Sequence, residues 1–416
     1  DKLDEVLPQQ GGHSIFEVPK SLHKLEPDAF IPHVVSIGPY HRDDERLHGM
    51  EKHKKRLLRH VLDRTESPLI FFTEAMFKLE GETRKCYDKP FKNLSSQEFV
   101  EMMLLDACFI LELFNVAANG IKHCGYYSDD PIFTKRGISP FIQRDLLMLE
   151  NQLPLFVLNK LFHLTKDQSM KDDSVDELAL QFFEPVLPGP SQNLPKFTRK
   201  PRLHLLDIVR QSLCPSPKFI SFQVYGEDKQ SFQPAMHSVT RLRGTRVEFA
   251  TKDSKITDIE FNGGVLYIPR FVIRNSTKSI FLNLMVFEQY YPRCSNYVTS
   301  YVSFMDGLIN SAQDVEYLYE KGIIEHGLGS DEDVASLFNN LRKEILFDTN
   351  DYYLANVSHD LDKHFNRKWH TRIAILKHQY LKDPWKIISL GVAGFLILLT
   401  LAQATYAVLS YQRPTS

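Results

Sequence analysis

Near its C-terminus the 416-residue chain carries 23 consecutive residues without a charge, IISLGVAGFLILLTLAQATYAVL at 387–409. At the helical rise of 1.5 Å per residue such a run reaches ~34 Å, enough for a hydrocarbon core of ~30 Å. Gln403 is its one strongly polar interior residue and lies toward one end. The run is therefore read as a single transmembrane helix, since a buried core helix of this length at the very end of a chain is a poor alternative. Trp385 and Lys386 stand at one edge, Tyr406 and Tyr411 at the other, where amphipathic rings and cations meet headgroups. Lys377, Lys382 and Lys386 precede the span, Arg413 alone follows it in the short tail 410–416, and the positive-inside rule then places the bulk of the chain in the cytosol. Residues 1–14 have neither an apolar core nor a basic lead, so they do not read as a signal peptide. A leader ahead of Asp1 would reverse the topology and make the bulk extracellular. Either way the expected location is a plasma or internal membrane, with a single pass.

One span is all the composition allows. A mean hydropathy of -0.27 is too polar for a polytopic membrane protein, and 43% hydrophobic with 25% charged residues is an ordinary globular balance. Lys+Arg 50 against Asp+Glu 52 leaves a net charge of -2, so no global basic field exists to hold nucleic acid. Residues 1–384 are read as a water-soluble helical domain. Its lead-in at 13–48 is extended and turn-rich, broken by Pro19, Pro27, Pro32 and Pro39. The pattern at 49–64 is helical with a basic face, which is most simply a solvated face and more sharply a contact for anionic lipid or an acidic partner. Ser95 and Glu98 open a helix as a capping box, and the helix that follows is apolar nearly all round, ending at Gly120. Asp106 and Glu112 in its middle would be costly in lipid, so it is read as a core helix. A helix at 138–164 is divided by Pro154, and the proline-rich 185–201 is a loop. Between 217 and 275 the period changes to alternation, with strands at 219–225, 246–251 and 256–274 and a hairpin turn at Asn262-Gly263-Gly264. Helices resume from Thr277; one starts at Ser330, and a last long one spans about 351–380. The fold class is mainly α with a small antiparallel β insert (α+β), plus the C-terminal transmembrane helix.

Little in the chain announces chemistry. It has no GxxxxGK[ST], GxGxxG, HExxH or GxSxG, so no catalytic, cofactor-binding or metal-binding residues are assigned. Cys86, Cys108, Cys124, Cys214 and Cys294 are odd in number and scattered, which suits reduced structural thiols. What stands out is polar residues in apolar helices: Asp106, Glu112, Glu150 and Glu288 above all, with Asn151, Gln152 and Gln289 beside them. Each needs a partner or a shifted pKa. They are either internal struts or, if they converge, an acid–base site.

A series of stretches runs in order along the chain: IFEVPKSL, VSIGPYH ending at His41, MEKHKKRLL at 50–58, MLLDACFILELF at 103–114, RDLLMLENQLPLFVLNKLF at 144–162, GGVLYIP at 263–269, LNLMVFEQ at 282–289 and GIIEHGLGSDEDVASLFNNL at 322–341. By this ordered set the chain resembles the plant DUF247 family, also called UPF0481 proteins. The resemblance covers essentially the whole chain and brings no catalytic residues with it. It departs at 238–249, where Arg246 stands at the family's usual glycine, and at Ala107, where a glycine is usual after Asp106. It implies a recognition role, since some grass members look like pollen-side determinants of self-incompatibility. The expected function is a membrane-anchored plant interaction or recognition protein without catalytic activity. It would touch lipid through its C-terminal helix and a protein through its body. The competing reading is a membrane-tethered enzyme using the buried carboxylates.

Overall fold

The structure is a computed structural model that describes residues 12–134, 137–165, 174–189, 202–220, 237–343, 351–367, 392 and 395–406. Its named helices are, in chain order, Lys20–Leu25 (α1), Pro27–Phe30 (α2), His48–Thr65 (α3), Leu69–Phe77 (α4), Glu80–Lys85 (α5), Ser96–Asn119 (α6), Ser139–Asp145 (α7), Leu155–Thr165 (α8), Val175–Phe183 (α9), Leu205–Leu213 (α10), Val239–Gly244 (α11), Thr277–Tyr290 (α12), Tyr297–Leu308 (α13), Ala312–Glu320 (α14) and Asp331–Leu341 (α15). The strands are Glu248–Lys252 (β1), Glu260–Asn262 (β2), Val265–Pro269 (β3), Phe271–Ile273 (β4) and Ile324–His326 (β5). The molecule is mainly helical with a small mixed sheet.

Two helices that are apolar on every side organise the body, because a helix without a polar face must be surrounded. The first is α6, buried at Phe99 and Val100 and then without interruption from Met102 to Val116, and started by the Ser95–Glu98 capping box. Helices α3, α4, α8 and α9 pack around it. The second is α12, buried from Ile280 to Glu288, against which α2, α10, α13 and α15 lie. One continuous hydrophobic core joins the two groups.

The sheet differs from the antiparallel insert that alternation suggests. The hairpin at Gly263-Gly264 does pair β2 with β3 antiparallel, but β1 pairs with β3 in parallel, and β4 and β5 form a separate parallel pair. Parallel pairing needs the chain to return to its starting end; β2 runs back to that end, and it is reached from β1 through the crossover 253–259. The crossover is pinned by Thr257 Oγ1 donating to Leu213 O (2.5 Å) and by Asp258 accepting from Ser216 N (2.6 Å). Periodicity reports the faces of a strand and is silent on its partner's direction. The helical pattern at 138–164 breaks at Leu146, well before Pro154, into α7 and α8. Within 219–225, Phe219 ends a 3₁₀ turn and 221–225 lies outside the described residues, as do 190–201 of the proline-rich loop. Of the expected helix at 351–380, residues 355–367 are described and helical. Among the described residues no helix is long and apolar enough to cross a membrane. Of the span expected at 387–409, the described part is residue 392 and the helix at 395–406; the remainder falls outside the described residues.

Arg246 sits where its family resemblance made the backbone worth attention. Its φ is +63°, in the left-handed region. Val247 N bonds to Leu242 O (3.1 Å) and Arg246 N to Arg243 O (2.9 Å), the reciprocal pair that closes a helix with a left-handed residue. Glycine fills the same position after α14, where Gly322 has φ +67°. A side chain in this conformation costs about 1–2 kcal/mol, part of which glycine gives back in the unfolded chain. Arg246→Gly should therefore raise stability to urea by about 0.5–1 kcal/mol, whereas an unchanged or lower midpoint would show that the arginine side chain contributes contacts of its own.

Candidate functional site

The four prolines of the lead-in prevent it from pairing as a strand or winding into a long helix, yet much of the segment from Ser14 to Gly38 is buried. Its backbone donors must still be satisfied. They are satisfied by side chains. Asp88 accepts from Glu17 N (2.9 Å) and Glu150 from Val18 N (2.6 Å). Asp145 Oδ2 takes three successive donors, His33 N (3.0 Å), Val34 N (2.7 Å) and Val35 N (3.2 Å). Asn151 Oδ1 takes Ile37 N (2.6 Å), and its amide returns a bond to Val35 O (3.0 Å). Asp106 Oδ2 takes Gly38 N (2.8 Å).

Most of these acceptors come from the turn between α7 and α8. That turn is itself fixed by Gln152, whose Nε2 donates to Leu146 O and Met148 O (both 2.8 Å) and whose Oε1 accepts from Leu206 N of α10 (3.1 Å). Asn283 of α12 closes the other side, accepting from Leu149 N (2.8 Å) and donating to Ala29 O (2.8 Å). The stretch DLLMLENQ at 145–152 is thus a hub of buried amides and carboxylates that clamps the lead-in between the two central helices.

The four carboxylates that the sequence reading left as either internal struts or one polar cluster occupy separate settings. Asp106 pairs with Lys54 at 2.6 Å, and the same ammonium also reaches Glu51 (2.6 Å) and Ser36 O (2.5 Å), which uses all three of its protons. Burial pushes the Asp106 carboxyl up, against the pull of Lys54. Burial works against the charge on Lys54 too, but Asp106 and Glu51 outweigh it and hold the lysine above its ordinary value. The two shifts favour different protonation states of the pair. The contacts decide for an ion pair, since an ammonium between two carboxylates stays charged. Glu112 lies about a turn and a half along α6 from Asp106 with partners of its own, a two-pronged Arg64 (2.6 and 3.0 Å) and the Tyr126 hydroxyl (2.6 Å). Glu288 caps α13, accepting from Val298 N (3.0 Å), Thr299 N (2.9 Å) and Thr299 Oγ1 (2.8 Å), with Arg210 at 3.9 Å. Glu150 joins the lead-in clamp, where His23 Nε2 and His41 Nε2 stand 3.0 and 3.1 Å from its oxygens. Burial would raise Glu150, but the hydrogen bond from His23 and the nearby His41 imidazole prevail and hold it at about 2.

Two buried groups give the fold opposed pH dependences. His204 donates from Nε2 to Ser14 O (3.0 Å) and accepts at Nδ1 from Asp207 N (3.3 Å), so the ring is neutral, and burial lowers its pKa from 6.5 to about 4. The unfolded chain binds that proton first, so this contribution is present above pH 6.5 and lost as pH falls toward 4. Burial raises Glu288 from 4.5 to about 7, so its contribution is present below pH 4.5 and lost as pH rises toward 7. Each amounts to about 3 kcal/mol and they nearly cancel between pH 4.5 and 6.5. Urea unfolding across that range should show His204→Gln gaining stability on acidification and Glu288→Gln losing it. Parallel curves for the wild type and both variants would refute the assignment.

Asn151 and Gln152 are buried as expected, whereas Gln289 is exposed. Tyr406 is exposed on the helix at 395–406; Trp385, Lys386 and Tyr411 lie outside the described residues. All five cysteines are free. Among the described residues no group of three or more His, Cys, Asp or Glu is placed to hold a metal ion. Sequence reading missed Asp145, Asp88, Lys54, His23 and His41. Asp145 follows Arg144, and Lys54 lies within a basic run, so each looked like an ordinary solvated charge.

A family described as a plant protein of unknown function, DUF247, matches residues 15–399. The UPF0481 protein At3g47200 of Arabidopsis thaliana is 33% identical over 421 residues, which cover 95% of this chain and 86% of the relative. The putative UPF0481 protein At3g02645 of the same plant is 23% identical over 491 residues, covering 95% and 90%. No solved structure matches the chain.

Proposed function

Because the chain belongs to the DUF247 family of plant proteins, with a match running almost from end to end, we propose a function for the whole of it: a membrane-anchored interaction protein that binds a protein partner and carries out no reaction. The observation that carries the anchor is the helix at 395–406. Its side chains are mostly apolar and open, with Phe395, Leu396, Ile397, Leu398 and Leu401 each more than half exposed and Gln403 the one strongly polar group. A continuous apolar surface of that kind asks for lipid or a partner to cover it. The described stretch alone reaches ~18 Å, and the uncharged sequence around it, 387–409, supplies the rest of a crossing.

Binding rather than catalysis is favoured by how the buried polar groups are used. Asp106, Glu112, Glu150 and Glu288 are taken up one by one by backbone N–H groups, Lys54, Arg64, Arg210 and two histidines. An acid–base site needs such groups to converge on one reacting atom.

The full-length chain should sediment with membranes, withstand alkaline carbonate and be released by detergent. Proximity labelling from the membrane-held chain should then recover a reproducible protein partner. Full-length chain in the aqueous supernatant would overturn the anchor. Metabolite turnover by purified chain, lost in Glu150→Gln, would overturn the non-catalytic reading.

A further inference from the structure

Helix α4 is the most apolar surface of the body. It buries Phe72 and Met76 toward α6 and α8 but leaves Leu69 48%, Ile70 60%, Phe71 47% and Phe77 42% exposed. Three consecutive open apolar residues at a helix start, behind Pro68, make a protruding wedge, with Glu74 and Lys78 the charged groups on its open side. Helix α3 lies just before it, joined by residues 66–68, and both helices lay their buried faces on α6. The open face of α3 carries Lys52, Lys55 and Arg59 at i, i+3 and i+7, with His48 before them and Asp63 after. Among the described residues none of the three cations has an ion-pair partner. Neighbouring Lys54, Arg56 and Arg64, by contrast, all point into pairs with Asp106, Asp130 and Glu112.

We infer that this face is a second membrane contact: Leu69, Ile70, Phe71 and Phe77 enter the headgroup–acyl boundary of the bilayer, and Lys52, Lys55 and Arg59 meet its anionic headgroups. The inference rests on the membrane reading above and says which side of the body turns to the lipid. An apolar wedge beside unpaired cations is the composition of an interfacial anchor. A second copy of the chain is a poorer occupant. At about half exposure four such side chains offer about 400 Å², against the ~800 Å² per partner of a stable interface. A bilayer needs less, because only the 19 residues 368–386 separate the body from the apolar run, and a short tether raises the effective concentration of the lipid surface.

The test uses the full chain in vesicles of phosphatidylcholine alone or mixed with phosphatidylserine, each containing a phospholipid with a photoactivatable acyl chain. Labelled peptides are mapped by mass spectrometry. Label is expected on residues 69–77 as well as within 387–409. On 69–77 it should rise roughly tenfold with phosphatidylserine. Ile70→Asp with Phe71→Asp should abolish that label, and Lys52→Glu with Lys55→Glu and Arg59→Glu should abolish its dependence on phosphatidylserine. Label within 387–409 with none on 69–77 overturns this inference and leaves the anchor standing. Label on 69–77 alone supports the contact and overturns the anchor. No label on either overturns both.

Discussion

Replacing Asp106 with Ala should destabilise the protein by about 3–5 kcal/mol, more than a cavity of that size accounts for. The carboxylate is buried in α6, and its removal leaves the Lys54 ammonium inside the protein with only Glu51 to oppose it. It also strips Gly38 N–H of its acceptor. The diagnostic experiment is a double-mutant cycle. Asp106→Leu alone should cost as much as Asp106→Ala, whereas Asp106→Leu with Lys54→Met should recover about 2–3 kcal/mol of it, because no charge is then left buried. Additive losses in urea unfolding would mean that the two side chains do not depend on each other.

Gly38→Ala should be nearly as damaging, at about 3 kcal/mol, with loss of folding at physiological temperature a natural outcome. The residue has φ +70°, and a Cβ there would lie 2.8 Å from Gln152 O and 3.2 Å from Tyr87 Oη. The first neighbour is backbone in the hub and has no room to retreat, so the left-handed penalty adds to an overpacking penalty of about 1–3 kcal/mol. Gly81 serves as the control. It lies in α5 with nothing within 4 Å of its Cβ position, and Gly81→Ala should be neutral or stabilising by up to about 1 kcal/mol.

The sequence made parts of this arrangement readable. The Ser95–Glu98 capping box, the all-round apolar α6 and the Gly263-Gly264 hairpin follow from local rules, and the structure places them as those rules require. Asp106 and Glu112 were recognisable as buried because lipid and water both fit them badly. Their partners were not, since Lys54 and Arg64 come from a helix whose Lys52, Lys55 and Arg59 face solvent and nothing in the spacing tells the two sets apart. The hub was harder still. Asn151 and Gln152 stood out as polar residues in an apolar run, but Asp145 bonds backbone donors 110 to 112 residues away, and no local pattern encodes that. The parallel pairing of β1 with β3 was hidden for the same reason, being set by how 253–259 is pinned to Leu213 and Ser216. Arg246 shows the reverse: a departure from the family's glycine located the left-handed residue that ends α11.

The buried carboxylates and amides hold an extended segment in place, and native-state hydrogen exchange reads that directly. Val34, Val35, Ile37 and Gly38 belong to no helix or strand, yet each donates its N–H to a buried side chain. Their amides should exchange only through global unfolding, as slowly as those of Phe109 and Ile110 in the centre of α6. Exchange within seconds, at the rate of an open loop, would contradict the clamp and return Asp106, Asp145 and Glu150 to the set of groups free for chemistry.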